Sequence, residues 1–247
     1  MALAYALFMV ACVTVADDAP LAKPSTESAP PAQADPNDVR DLPLIEVKRE
    51  VTGTDKLGIL ISGDGGWWTL DNGVSEVLAA HGVPVIGVSS HKYFAVARTP
   101  DSTAGDIARA LRHYLSAWKK ERVVLMGYSL GADIIPFAAA RLPEDLRARV
   151  AAIVMIGPSK ETMFEFHTMD WVRTPSDRQM YPVQPEIEKL YTGAKLICTT
   201  SDADPDCICS KLDPSKVTVI ARKGGHHYGG DFKGLGEAIW DALKDVK

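Results

Sequence analysis

The chain has 247 residues, 46% hydrophobic and 24% charged, with 27 Lys+Arg against 32 Asp+Glu. Its net charge of −5 is unevenly placed: residues 17–41 carry six acids and two bases, residues 1–16 carry no charge, and residues 42–247 hold 25 bases and 26 acids. A near-neutral body excludes a nucleic-acid binder working through a basic face, and the ample apolar fraction excludes a disordered chain.

Residues 2–16 form one apolar run that is short for a bilayer span and is followed directly by an acidic, Pro-rich stretch. This pattern predicts a secretory signal over 1–16, with Thr14-Val15-Ala16 as a cleavage site, although no Lys or Arg precedes the run. Ala11-Cys12 offers a lipoprotein-type anchor at Cys12 as the less favoured alternative. Residues 17–41 contain five prolines and no apolar periodicity, which predicts an extended linker.

From residue 42 to 247 the chain suits one domain of the larger α/β kind. Short β-rich runs predict strands at 43–49, 57–62, 83–88, 122–127, 150–156, 194–200 and 216–221. Helical patterns lie at 73–81, 101–119, 130–141, 186–191 and 231–245, with Asp101 able to cap the second. Runs such as Val123-Val124-Leu125-Met126 suit strands buried on both faces of a parallel sheet. The alternation predicts a mostly parallel central sheet with helices on both faces, and chemistry at the carboxyl ends of its strands.

Strand 122–127 runs straight into Gly127-Tyr128-Ser129-Leu130-Gly131 with a helix after it, the context that a G-x-S-x-G nucleophile elbow requires. Ser129 then stands at a helix head, and the Leu130 amide faces the place where an oxyanion forms. A serine needs a base steered by a carboxylate, and in an α/β-hydrolase the order is Ser, Asp, His. Asp202, Asp204 and Asp206 follow strand 194–200, and Gly224-Gly225-His226-His227 follows strand 216–221. His226 is preferred as base over His227, and Asp204 as acid over Asp202. Without the serine and histidine, the Asp cluster would read as a solvated loop or a weak Ca²⁺ site.

Strand 57–62 ends in Ser62-Gly63-Asp64-Gly65-Gly66-Trp67-Trp68, the position of the loop that supplies a second oxyanion amide, here from Asp64 or Gly65. A carboxylate beside an oxyanion would repel it, so the Asp64 side chain is expected to point away, into a structural hydrogen bond or toward a cationic substrate group. Trp67 and Trp68 cover the sheet edge or wall an apolar site. Segment 158–185 holds Met163, Phe164, Phe166, Met169, Trp171, Met180 and Tyr181 without clean periodicity and reads as a cap.

In an oxidising compartment Cys198 can pair with Cys207, the pairing taken here, or with Cys209, closing the loop that carries Asp202 and Asp204. A Cys207-x-Cys209 metal site lacks histidines at zinc spacing, so no metal or cofactor is expected.

The stretch Ser62-Gly63-Asp64-Gly65-Gly66-Trp67, with Lys92-Tyr93-Phe94, Gly127-Tyr128-Ser129-Leu130-Gly131-Ala132-Asp133, Pro136-Phe137, Arg141-Leu142-Pro143 and Gly225-His226-His227, resembles the VirJ/AcvB family of bacterial virulence-associated proteins. The resemblance runs from about residue 55 to the C-terminus. It departs at Ala95, where the family usually has an aromatic, and at Ser201, where it has glycine. The resemblance implies an exported, periplasmic α/β-hydrolase that hydrolyses aminoacyl-phosphatidylglycerol (lysyl- or alanyl-) and contacts the membrane surface peripherally. By position it makes Ser129 the nucleophile, with the acid from the loop after strand 194–200 and the base from the His226-His227 pair. The rival readings are a general lipase or thioesterase on the same triad, and a non-catalytic binding protein on a hydrolase scaffold.

Overall fold

The computed structural model describes residues 37–48, 53–165 and 179–247. The expected signal segment, most of the linker and the middle of the cap-like segment, with Phe166, Met169 and Trp171, lie outside the described residues.

The main sheet contains β1 (Leu44–Val47), β2 (Lys56–Ile61), β3 (Val85–Val88), β4 (Arg122–Tyr128), β5 (Val150–Ile156), β8 (Lys195–Ser201) and β9 (Val217–Arg222). Their spatial order is β1-β3-β2-β4-β5-β8-β9. β1 runs antiparallel to β3 at one edge, and the other neighbouring pairs are parallel. Among the described residues the α-helices are α1 (Thr69–Ala80), α2 (Ser90–Tyr93), α3 (Pro100–Ala117), α4 (Leu130–Arg141), α5 (Glu144–Arg147), α6 (Gln184–Glu188) and α7 (Phe232–Leu243). A small antiparallel pair, β6 (Glu161–Thr162) with β7 (Tyr181–Pro182), had no periodicity to announce it.

Strand alternation divides the core in two. Along β4, Val123 and Leu125 enter one cluster while Val124 and Met126 enter the other, because successive side chains leave opposite faces. The first cluster holds Ile107 and Leu111 of α3, Ile134 and Ile135 of α4, and Ile187 of α6. The second holds Leu70, Val74 and Leu78 of α1 with Leu235 and Ile239 of α7. Each buried Leu or Ile contributes roughly 1.5–3 kcal/mol, so the doubly covered central strands anchor everything built on their ends.

Several boundaries differ from expectation for local reasons. α1 begins at Thr69, ahead of the expected 73, because the Asp71 carboxylate accepts a hydrogen bond from the Trp68 amide at 2.9 Å. The cap of α3 is Thr99 and not Asp101: the Ser102 amide donates to Thr99 Oγ1 at 3.0 Å and the Thr99 amide to Ser102 Oγ at 2.9 Å. Asp101 instead lies beside Arg141, 3.3 Å from its Nε. The folded body also starts before residue 42. Val39 is buried in the core, and Arg109 donates to the Asp38 carbonyl at 2.6 Å and to both Asp41 oxygens at 3.0 and 2.8 Å.

From β2 the chain moves to β3 on one side, and β4 lies on the other. This reversal opens a crevice outside the carboxyl ends of β2 and β4. Among the described residues no helix is long and apolar enough to cross a membrane.

Candidate active site

β4 delivers Ser129 directly into that crevice. Its backbone is held at φ 51°, ψ −118°, a conformation that costs a residue with a Cβ about 1–3 kcal/mol. Packing enforces it. The Ser129 amide donates to the Ile156 carbonyl at 2.9 Å, and the Asp133 amide donates to the Ser129 carbonyl at 3.1 Å. A Cβ at Gly127 would collide with the Gly131 carbonyl, and one at Gly131 with the Ile61 carbonyl. Strand and helix can therefore meet at this angle only with glycine at both positions.

Ser129 Oγ lies 2.9 Å from His226 Nε2, and His226 Nδ1 lies 2.8 Å from Asp204 Oδ2. With the Nδ1 proton donated to the carboxylate, Nε2 is left as acceptor for the Ser129 hydroxyl. The His226 ring stacks on Tyr128, with centroids 5.5 Å apart and planes at 29°. The Asp204 side chain is 6% exposed, so its interaction with the imidazole is little screened.

The competing residues have other partners. His227 Nδ1 pairs with the Tyr128 hydroxyl at 2.7 Å. Burial, with the charges of Asp71, Asp64 and Asp204, raises the Tyr128 pKa well above the ordinary tyrosine range, so the phenol stays protonated. Asp202 Oδ1 accepts from the Gly224 amide at 3.0 Å and ties the acid loop to the histidine loop. Gly224 has φ 99°, and a Cβ there would strike Gly229, so the histidine loop turns tightly.

On the opposite side of Ser129, a Cβ at Gly63 would lie 3.5 Å from Ser129 Cβ. The Gly65 amide is not free for an oxyanion, because it donates to Asp64 Oδ1 at 2.9 Å. This removes Gly65 from the expected pair, leaves the Asp64 amide, and gives the Asp64 carboxylate a structural partner. Leu130 is the first residue of α4, so its amide has no intrahelical acceptor. Ser90 braces the loop from behind: its hydroxyl donates to the Gly63 carbonyl, and its amide donates to Ser62 Oγ at 3.1 Å.

The disulfide joins Cys198 to Cys209, not to Cys207. The Ile208 amide is pinned to the Pro158 carbonyl at 2.9 Å, and the 3₁₀ turn Cys209–Lys211 brings the Cys209 Cα to 5.7 Å from that of Cys198. Cys207 is left as a buried thiol, raised in pKa by burial. The bridge spans a separation of 11 residues, which on the chain-entropy relation stabilises by about 3 kcal/mol. Cys209→Ala should lose about that much in chemical denaturation and make the midpoint insensitive to reductant. Cys207→Ala should leave the reductant sensitivity intact, and the reverse pattern would refute the pairing.

Asp133 lies in α4, two residues beyond the elbow glycine Gly131. It is 5% exposed and accepts from both the amide and the hydroxyl of Ser159, each at 2.6 Å. An acid inside the otherwise apolar stretch Leu130–Ala140 was the available signal for such an anchor. Burial raises its carboxyl from 3.8 to about 7, against the lowering effect of the Ser159 bonds. The native state therefore holds this proton more tightly than the unfolded chain. Its contribution is full below about pH 4 and declines as pH rises through about 7. Asp133→Asn should flatten stability between pH 5 and 8, tested by urea midpoints at both values; an unchanged slope would refute the assignment.

The sequence profile of the VirJ bacterial virulence proteins matches residues 55–247. The chain belongs to the VirJ family. Curated protein sequences gave no match. Among solved structures, this VirJ-family protein is similar to Est1E from Butyrivibrio proteoclasticus, with a TM-score of 0.60 and 15% identity over 84% of this chain and 96% of that one. It is also similar to an alpha-beta serine hydrolase homologue from Coxiella burnetii, with a TM-score of 0.58 and 15% identity over 81% and 90%. The esterase domain of a Rhodothermus marinus protein gives 0.57 and 14% over 81% and 91%. The fold is that of the α/β-hydrolases.

The two tryptophans of the VirJ-family loop have different fates. Trp67 packs on Gly87 of β3 and donates to Asn72 Oδ1 at 2.7 Å, covering the sheet. Trp68 is 66% exposed, and its indole donates to the Gly65 carbonyl at 2.5 Å. It borders a cavity of about 350 Å³ reaching Ser89, His91 and Lys92. A cavity of about 520 Å³ beside Ala139, Val150 and Leu190 lies at the amino end of β5, away from Ser129, and holds no part of the site.

Proposed function

We propose that this VirJ-family protein is a serine esterase that releases the amino acid from aminoacyl-phosphatidylglycerol. The observation that carries the reading is the unbroken relay Ser129–His226–Asp204, with contacts of 2.9 and 2.8 Å, beside a helix-head amide. His226 Nε2 takes the Ser129 proton as Oγ attacks the ester carbonyl carbon. The resulting oxyanion is held by the amides of Leu130 and Asp64. As the tetrahedral centre collapses, the glycerol oxygen takes the proton from His226 and phosphatidylglycerol departs, leaving the aminoacyl group on Ser129. Water then attacks that ester, gives a proton to His226, and the free amino acid leaves as Ser129 recovers its hydroxyl.

Membership of the VirJ family supports the lipid ester as substrate. The structural neighbour described as an esterase domain, from a Rhodothermus marinus protein, supports ester chemistry. The Cys198–Cys209 disulfide supports an exported, periplasmic location, since such bridges persist in oxidising compartments. The test is incubation of purified protein with lysyl- and alanyl-phosphatidylglycerol, and with simple acyl esters, following the lipid products. Release of phosphatidylglycerol that outpaces acyl-ester hydrolysis is the expected result. Intact aminoacyl-lipid after prolonged incubation would refute the proposal.

A further inference from the structure

A carboxylate stands where the proposed reaction gathers negative charge. Asp64 follows Gly63, at which a Cβ would lie 3.5 Å from Ser129 Cβ, and the Asp64 amide is the oxyanion donor left on this loop. The Asp64 side chain branches from the same Cα as that amide and is half-buried. Its Oδ1 accepts from the Gly65 amide at 2.9 Å, which keeps the carboxylate beside the loop backbone. Among the described residues no cation lies within ion-pair distance of it. Burial and the charges of Asp71 and Asp64 raise the Tyr128 pKa, and the Tyr128 ring stacks on His226, so the Asp64 charge is felt inside the site.

The neighbouring acids are committed elsewhere. Asp204 holds His226, Asp202 holds the Gly224 amide, and Asp133 holds the amide and hydroxyl of Ser159. Asp71 is buried and accepts from the Trp68 amide. Charge counting then makes Asp64 costly for an uncharged acyl group. Proton transfer from Ser129 to His226 creates an imidazolium and an oxyanion together, and Asp204 offsets the imidazolium. The Asp64 carboxylate is left near an oxyanion held by its own residue's amide, and like charges in a partly desolvated site repel. An ammonium on the carbon next to the ester carbonyl reverses the sign, because it is attracted to the oxyanion and to the carboxylate alike.

We propose that the Asp64 carboxylate recognises the α-ammonium of the aminoacyl group, and so selects aminoacyl esters over simple acyl esters. Alanyl and lysyl groups both carry that ammonium, so one contact serves both. The inference rests on the esterase reading above and names the part of the substrate that this loop recognises.

Alanyl-glycerol and propionyl-glycerol differ only in the α-amine, and their kcat/KM values are compared at about pH 6.5, below the ordinary α-amino pKa. Taking the ratio of variant to wild type for each ester cancels their different intrinsic reactivities. Asp64→Asn keeps an oxygen that can accept from the Gly65 amide and loses the charge. It should lower kcat/KM for alanyl-glycerol at least about tenfold and raise that for propionyl-glycerol about threefold. Asp206 is exposed on the acid loop, two residues beyond Asp204. Asp206→Asn removes the same charge and should leave the preference between the two esters within about twofold of wild type. Equal effects of Asp64→Asn on both esters would overturn the inference, because a merely structural role slows both alike. So would a matching effect of Asp206→Asn, since overall charge would then make the selection. Wild type is also given alanyl-phosphatidylglycerol. Cleavage of that lipid, with equal effects of Asp64→Asn on the two small esters, would refute only this inference. Opposite effects on the small esters, with the lipid left intact, would refute only the proposed function. Hydrolysis of none of the three would refute both.

Discussion

Ser129→Ala is expected to lower aminoacyl-lipid turnover by at least about 10⁴-fold, with the fold retained. In the proposed mechanism the Ser129 hydroxyl supplies the attacking electron pair, and it lies 2.9 Å from His226 Nε2. What remains should be the modest acceleration from substrate positioning and the oxyanion amides. A second substitution separates chemistry from strain. Ser129→Gly lacks the same hydroxyl, but glycine tolerates the φ of 51° that a Cβ resists. Ser129→Gly should therefore be more stable than Ser129→Ala by about 1 kcal/mol, measured by urea unfolding. Equal midpoints would mean that the elbow stores no strain at this residue. Retained turnover in either variant would eliminate the covalent mechanism.

Asp204→Asn carries the next largest effect, a fall in kcat of about 10³–10⁴-fold with little change in KM. The nearly isosteric amide keeps the size of the side chain but cannot stabilise the imidazolium, and it favours the tautomer that presents the wrong nitrogen to Ser129. Asp202→Asn is the internal control. Asp202 holds the Gly224 amide at 3.0 Å, so its loss should cost about 1 kcal/mol of stability and less than about tenfold in kcat. Comparable losses of kcat in the two variants would show that the relay does not run through Asp204 alone.

The contrast between these two acids marks how far the chain could be read before folding. β2, β4, β5 and β8 were legible because each is a run of apolar residues ending in punctuation, and a strand buried on both faces must be written that way. The elbow was legible because its two glycines answer to backbone collisions, which a three-residue pattern can encode. The small β6–β7 pair was not legible, since two residues per strand carry no period. Thr99 was missed as the cap of α3 because Asp101 is also an acceptable cap by type, and only the hydrogen bonds distinguish them.

The same limit applies inside the site. Asp202 and Asp204 have identical side chains two residues apart, and His226 and His227 are adjacent. No local rule assigns one of each pair to catalysis. The choice comes from what each meets across the sheet: Asp204 meets His226, Asp202 meets the Gly224 amide, and His227 meets Tyr128. Likewise Cys207 and Cys209 are equivalent by spacing, and the turn after Ile208 selects Cys209. The loop that follows β2 shows the subtler case, where the Asp64 carboxylate takes up the Gly65 amide and changes which backbone group can hold an oxyanion.

The opening charge count belongs to this division too. Residues 42–247 are close to neutral as a sum, and a sum has no direction. The tertiary structure ties Arg98 to Asp106 and withdraws Asp133 into the interior, so pairing and burial, and not the sum, set the local charge. Sequence alone determined the class of fold, the chain order of the Ser129, Asp204 and His226 elements and the serine at the elbow, because these depend on periodicity and backbone sterics acting over a few residues. Only the tertiary structure brought Asp204 and His226 to Ser129 and Cys209 to Cys198, because each pairing depends on contacts between residues 11 to 97 positions apart.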